Sequence, residues 1–193
     1  MRSNYKQLGQ FISEVNIKNT NLEIDLLLGV SITKKFIPSI ANTIGTDMSK
    51  YKVVRKNQFG YGPITSRNGD KISVALLTKE QCIISTSYRV FEIKDHEELD
   101  PEYLMMWFRR PEFDRYARFM SHGSTREAFD WDEMCETELP VPSIEKQTIL
   151  KEALMEMGKA NLGLVCIVDQ EKKLLGLMTD GDLRRKLLKY QKP

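Results

Sequence analysis

The apolar residues of this chain change period at Pro101, and that change restricts the fold more than any other feature. Across residues 27–93 they come in short runs rich in Val, Ile and Leu, cut by Lys, Asn, Gly and Ser. Such runs read as strands. After Pro101 they recur every three or four residues, the spacing of a helix face. The strands expected are 27–33, 50–54, 71–77 and 81–93, with turns at Lys34-Lys35 and at Ser66-Arg67-Asn68-Gly69-Asp70. The Asn-Gly pair in the second turn is a hairpin signal, because both residues tolerate positive φ. Strands first and helices afterwards indicate an α+β architecture, mostly antiparallel, rather than the alternating parallel kind.

Pro101 stands where helices begin, since its ring fixes φ and its missing N–H would go unpaired anyway. Tyr103, Leu104, Trp107 and Phe108 then share a face, and Arg109 and Arg110 load the end that the helix dipole makes negative. Pro111 restarts a helix whose stripe is Phe113, Tyr116, Ala117 and Met120. A polar loop at 121–126 follows, with no apolar anchor, so it belongs at the surface. Residues 134–139 read as a short strand stopped by Pro140 and Pro142, and Ser143 reads as the N-cap of a further helix.

No apolar run approaches the roughly 20 residues that cross a bilayer, and the first four residues open no signal-peptide pattern. The chain is read as cytoplasmic, with no membrane partner. Cys82, Cys135 and Cys166 are far apart in apolar contexts and read as buried free thiols, with no metal site. Charge is segmented. Residues 1–94 hold 14 Lys and Arg against 7 Asp and Glu, residues 95–140 hold 5 against 13, and the remainder holds 10 against 7. The basic front can neutralise phosphates, whereas the acidic stretch at 95–98 must face solvent or a protein. His122 has no nucleophile or carboxylate at a telling spacing, so nothing marks the chain as an enzyme.

Four phrases, in order, resemble the target-recognition domain of a type I restriction-modification specificity subunit: LLGVSITKKFIPSIANTIGTDMSKYKVV at 27–54, QFGYGPITSRNGDKISVALL at 58–77, the block 101–126, and ELPVPSIEKQ at 138–147. The resemblance implies a non-catalytic module that reads one half of a bipartite DNA target. It also implies double-stranded DNA, methyltransferase and restriction subunits, and a second specificity half or second copy as partners. On that layout the DNA-facing groups are those on loops. Lys34 and Lys35 are expected at phosphates, and Tyr61, Thr65, Ser66, Arg67 and Asn68 on a glycine-containing loop that enters a groove. Ser121, His122, Ser124 and Arg126 form the second loop. Arg and Asn are apt types, because they bond guanine and adenine in bidentate fashion. Trp107 is read as core, and Trp131, among acidic neighbours, as no DNA contact.

The recognition domain is placed at 1–147 and a second unit at 148–193. The second unit, TILKEALMEMGKANLGLVCIVDQEKKLLGLMTDGDLRRKLL at 148–188, resembles most of a cystathionine-β-synthase (CBS) domain, its opening strand missing or replaced by residues 139–141. From the residues alone it reads as a helix with Leu150, Leu154 and Met157 on one face, strands at 164–168 and 174–178 about a turn at 169–172, and a helix from Asp180. In that family the residues matching Thr179 and Asp182 contact an adenine nucleotide. The alternative function is therefore a nucleotide-sensing regulatory protein; on the main reading no cofactor is expected.

Overall fold

The structure is a computed structural model and describes residues 5–40, 45–66, 68–123, 126–160, 163–179 and 181. In chain order the strands are β1 (Tyr5–Gln7), β2 (Ile12–Val15), β3 (Leu28–Val30), β4 (Phe36–Pro38), β5 (Lys52–Arg55), β6 (Phe59–Gly62), β7 (Ser73–Leu76), β8 (Gln81–Ile84) and β9 (Arg89–Ile93). Helices α1 (Pro101–Phe108), α2 (Pro111–Phe119) and α3 (Trp131–Glu136) follow, then β10 (Glu138–Pro140), α4 (Ile144–Ala160), β11 (Leu164–Val168) and β12 (Leu174–Thr179). The expected α+β class, strands first and helices after, is what is seen, and the ladders between strands are antiparallel.

A four-stranded sheet in the order β2-β9-β6-β7 organises the core. Because side chains alternate along a strand, each strand feeds two interiors. Ile12, Phe59, Tyr61, Val74, Phe91 and Ile93 face the helices, where they meet Leu104 and Phe108 of α1 and Phe113 and Ala117 of α2. The Phe59 and Phe91 rings stack at 4.8 Å, and Phe108 stands edge-on to both. Val15 and Val90 face the other way, into a smaller cluster with Leu28, Val54, Cys82 and Ile84. That side is covered by the β3-β4 and β5-β8 pairs. Gly60 makes the approach feasible: a Cβ there would lie 3.0 Å from the Phe36 ring and 3.2 Å from Val30.

Both prolines begin helices as read, and Asp100 caps α1 by accepting the Tyr103 N–H at 2.8 Å. Other expectations are corrected. Residues 134–139 are not one strand: α3 ends at Glu136, and only β10, paired with β1, is extended. The pairing of β10 with β1 also means that residues 139–141 do not open the tail unit. The run 81–93 is two strands, β8 and β9, belonging to different sheets. Asn68 does not take positive φ; Gly69 does, at 63°, inside a long loop rather than a two-residue turn. Cys82 is buried, but Cys135 is half-buried and Cys166 exposed. Trp107 is core as expected.

One polar contact crosses the core. Lys34, at the β3-β4 turn with φ 63°, is buried, and its Nζ donates to Asp114 Oδ1 at 2.5 Å and to the Ile72 carbonyl at 2.6 Å. The same Asp114 oxygen accepts the Ile72 N–H at 3.0 Å. Burial pulls the Lys34 pKa below its ordinary value against the opposing pull of Asp114.

Helix α4 runs as one element from 144 to 160 and rests on α1. Gln147, fully buried, accepts the Asp100 N–H and donates to the Glu98 and Pro142 carbonyls. Leu150, Leu154 and Met157 lie on the inner side as their spacing predicts. The β11-β12 hairpin follows, with Asp169 bridging its turn through the Glu171 and Lys173 N–H groups. The helix read from Asp180 falls outside the described residues except for Gly181.

Asp114→Ala strands the Lys34 ammonium without its counter-ion, a loss of about 3–5 kcal/mol for a broken buried pair. The Lys34→Met, Asp114→Leu double variant should recover more than half of it, as urea unfolding will show. Burial also pushes the Cys82 thiol up to about 12 from an ordinary 9.0. The unfolded thiol therefore ionises first, and the native state loses stability as pH rises from 9.0 towards 12, by about 1.4 kcal/mol per pH unit. Cys82→Ala should remove that slope in denaturation curves taken between pH 8 and 10.

Candidate nucleic-acid interface

Four loops at one end of the central sheet enclose an open cleft of about 370 Å³. The end of β3 and the β3-β4 turn supply Val30 and Ile32, the β6-β7 loop supplies Pro63, Ile64 and Asn68, the β8-β9 turn supplies Ser87 and Tyr88, and the loop after α2 supplies Arg126. The two loops singled out in the sequence, 61–70 and 121–126, are thus brought together, although 56 residues separate Thr65 from Ser121.

The meeting is built from backbone. Thr65 N–H donates to the Glu127 carbonyl at 2.9 Å and Phe129 N–H to the Pro63 carbonyl at 2.8 Å. His122 and Ala128 exchange N–H···O bonds of 3.0 and 2.8 Å, which closes the second loop into a small hairpin. Gly123 permits that hairpin: its φ is 129°, and a Cβ would lie 2.4 Å from the Arg126 carbonyl oxygen. The Thr65 hydroxyl, 1% exposed, lies 2.9 Å from Ser121 Oγ, which itself donates to the Ala117 carbonyl at 2.7 Å. Arg118 reaches Thr65 at 3.4 Å and pairs with Glu127. Phe129, fully buried among Phe113 and Tyr116, anchors the far end.

The expected site residues divide accordingly. Asn68 and Arg126 line the cleft, and Asn68 Nδ2 donates to the Ile64 carbonyl at 3.1 Å, which orients the terminal amide and uses one of its two donor hydrogens. Lys35, Ser66 and His122 are exposed but do not line the cleft, and Ser121 is half-buried. Lys34 is corrected: it is sealed into the pair with Asp114 and is not a surface phosphate contact. Tyr61 is corrected too, because it sits in β6, 0% exposed, and its period-2 neighbour Phe59 carries the same interior. Thr65 faces inward and braces the two loops. Arg67 and Ser124 lie outside the described residues, as does Asp182 of the tail. Thr179 ends β12.

Ile32, Ser87 and Tyr88 were not anticipated. The signal was present in Ser85-Thr86-Ser87-Tyr88, a polar turn inside what otherwise reads as one apolar run. Lys52 stiffens that turn by donating from Nζ to the Tyr88 carbonyl at 2.8 Å, and its burial there lowers its pKa. Among the described residues no group of three or more His, Cys, Asp and Glu is gathered as a metal would require, and no helix is long and apolar enough to cross a membrane.

No family model matches the chain. Among solved structures it is similar to the HsdS subunit from Thermoanaerobacter tengcongensis, with a TM-score of 0.57 and 20% identity over 83% of this chain and 44% of that one. A structure concerned with assembly and conformational transition of the type I R-M system gives 0.52 and 13% over 83% and 40%. The type I restriction-modification S subunit from M. genitalium gives 0.50 and 15% over 80% and 38%. These likenesses show a shared fold, and the chain spans less than half the length of each. Curated sequences match a short segment: arabinose 5-phosphate isomerase KdsD is 44% identical over 45 residues in Salmonella typhi and 47% over 47 residues in Pseudomonas aeruginosa. Each match covers 14% of the isomerase.

Thr65→Val deletes the hydroxyl that joins the two loops and leaves Ser121 short of a donor, at a cost of about 1–2 kcal/mol. Hydrogen exchange of the amides at 121–128 should accelerate more than that of β6 and β9.

Proposed function

We propose that the chain is a non-catalytic module that reads a short sequence in double-stranded DNA, of the kind a type I specificity subunit contributes. The observation that carries this is the cleft in which Asn68 and Arg126, from loops far apart in sequence, stand at one rim of a scaffold similar in fold to HsdS subunits. Both side chains carry the donors that discriminate base edges. The basic front, with Lys35 exposed on the β3-β4 turn, supplies phosphate attraction. Reading without bond-breaking fits a site formed of amide, guanidinium, hydroxyl and aromatic groups. On this reading the module recognises one half of a bipartite target in the cytoplasm. Separate methyltransferase and restriction subunits act on the DNA, and a second copy or half-subunit supplies the other half-site.

A second reading has an observation of its own. On that reading the tail, which resembles a CBS unit in sequence, takes an adenine nucleotide through Thr179 and Asp182; the 45-residue likeness to KdsD supports only the presence of a segment shared with that isomerase. Stabilisation by AMP or ATP, which any ligand binding only the folded state must produce, distinguishes this reading from the first.

Selection from a random duplex pool at moderate salt tests the main proposal. A short motif should be enriched, and Arg126→Ala or Asn68→Ala should weaken discrimination at one position by about 1–3 kcal/mol. Lys35→Ala should instead lower affinity for all duplexes alike and make the slope of log K against log salt shallower by about 0.9. Equal, weak retention of every duplex would overturn the reading.

A further inference from the structure

A second cleft of about 390 Å³ lies beside the first, and Tyr88, Ser87 and Val30 line both. The two differ in chemistry. The first presents Asn68 and Arg126; the second is walled by Leu28, Ile37, Pro38, Ile40 and Tyr51. Ile37 and Ile40 are 39% and 98% exposed, an unusual position for branched aliphatic side chains beside a polar cleft.

Tyr88 is the partition between them. Gly62 and Gly29 lie against the ring: a Cβ on Gly62 would sit 3.4 Å from Tyr88 Cε1 and one on Gly29 3.6 Å from the hydroxyl oxygen, both at van der Waals distance. The turn beneath the ring is fixed. Tyr88 N–H donates to the Ser85 carbonyl at 3.1 Å, Ser87 N–H to Ser85 Oγ at 3.4 Å, and Lys52 Nζ holds the Tyr88 carbonyl. The next residue, Arg89, is locked to Glu14 at 2.8 Å and is not available as a reader. The half-buried ring packs against the cluster of Leu28, Val54 and Val90 and, from that fixed seat, lines both clefts.

We infer that Tyr88 is a specificity-determining residue that divides the reading surface in two. This rests on the DNA-reading function proposed above and deepens it. On the Asn68 and Arg126 side the surface takes hydrogen-bonding base edges. On the other side the Tyr88 ring and the aliphatic wall take the one apolar group that a major groove offers, the C5-methyl of thymine. The second cleft is continuous with the first through Tyr88, so the same duplex that engages Asn68 and Arg126 lies across both.

The test uses the full chain and the duplex motif that it selects from a random pool. Each thymine of that motif is replaced in turn by uracil, which removes only the methyl. One replacement should weaken binding about fourfold, the worth of a buried methyl-sized group. Tyr88→Ala should bind the thymine and uracil duplexes equally, with an unchanged salt slope, whereas Tyr88→Phe, which keeps the ring, should retain the fourfold preference. A thermal midpoint measured for each variant separates this from loss of fold. If the Tyr88→Ala protein keeps the preference, if no uracil replacement matters, or if the motif contains no thymine, the inference is overturned while the DNA-reading function stands. Failure of the unaltered protein to enrich any motif takes down both.

Discussion

The Lys34 ammonium is withdrawn from water at the tip of the β3-β4 hairpin and held by a carboxylate 80 residues away and by one strand-entry carbonyl. That contact fixes the position of three parts at once. It pins the hairpin that carries Val30 and Ile32, the entry to β7 through both polar atoms of Ile72, and α2, whose end begins the loop bearing Arg126. Lysine is almost never buried unless it is paired, and here the pairing is made twice over, by charge and by backbone. Because an uncompensated ammonium in this place would cost several kcal/mol, the hairpin has one stable seat against α2. The cleft inherits its shape from that seat. The loops themselves are polar and short of apolar anchors, so rigidity must reach them from below.

The same contact explains why the burial of Lys34 is not legible in the local sequence. Lys34-Lys35 is a turn, and lysines in turns are ordinarily exposed; Lys35 is. Only a partner on a distant helix buries its neighbour, and Asp114, placed between Phe113 and Arg115, carries no local sign of facing inward. Tyr61 failed for a related reason. Glycines on both sides of it suggest a loop, yet Gly60 is there so that Phe36 and Val30 can press against the sheet, and Gly62 so that Tyr88 and Ser73 can. A glycine kept for close approach and a glycine kept for turning look identical in sequence. The run 134–139 combined helical and extended residues across Thr137, and no periodicity of two or of 3.6 spans so short a piece.

What was legible is what local physics decides. Pro101 and Pro111 start helices because proline suits a first turn, the stripe of α1 and α2 meets the sheet, and the tail reads correctly as helix, strand, turn and strand. For the interface, the two polar loops were visible as loops, and Asn68 and Arg126 as apt chemistry. Their convergence was not, since it depends on backbone bonds such as Thr65 to Glu127 between segments far apart in the chain. Tyr88 was hidden differently: four residues of turn inside a 13-residue apolar run vanish when the run is read as one strand.

The division of labour in the central sheet bears on how such a module can change what it reads. Phe59, Phe91 and Val74 are committed to the interior, while the cleft is lined mostly by residues beyond the strand ends, with Val30, Gly62 and Ser73 from the strand tips. Substitution at Asn68, Ser87 or Arg126 removes no buried apolar area, so it leaves the hydrophobic term that holds the fold nearly untouched. Lys34, Asp114 and Thr65 are different, because they set where the loops stand rather than what the loops offer. Selectivity is therefore free to drift at the rim of the cleft only so long as the bracing one layer below it is kept.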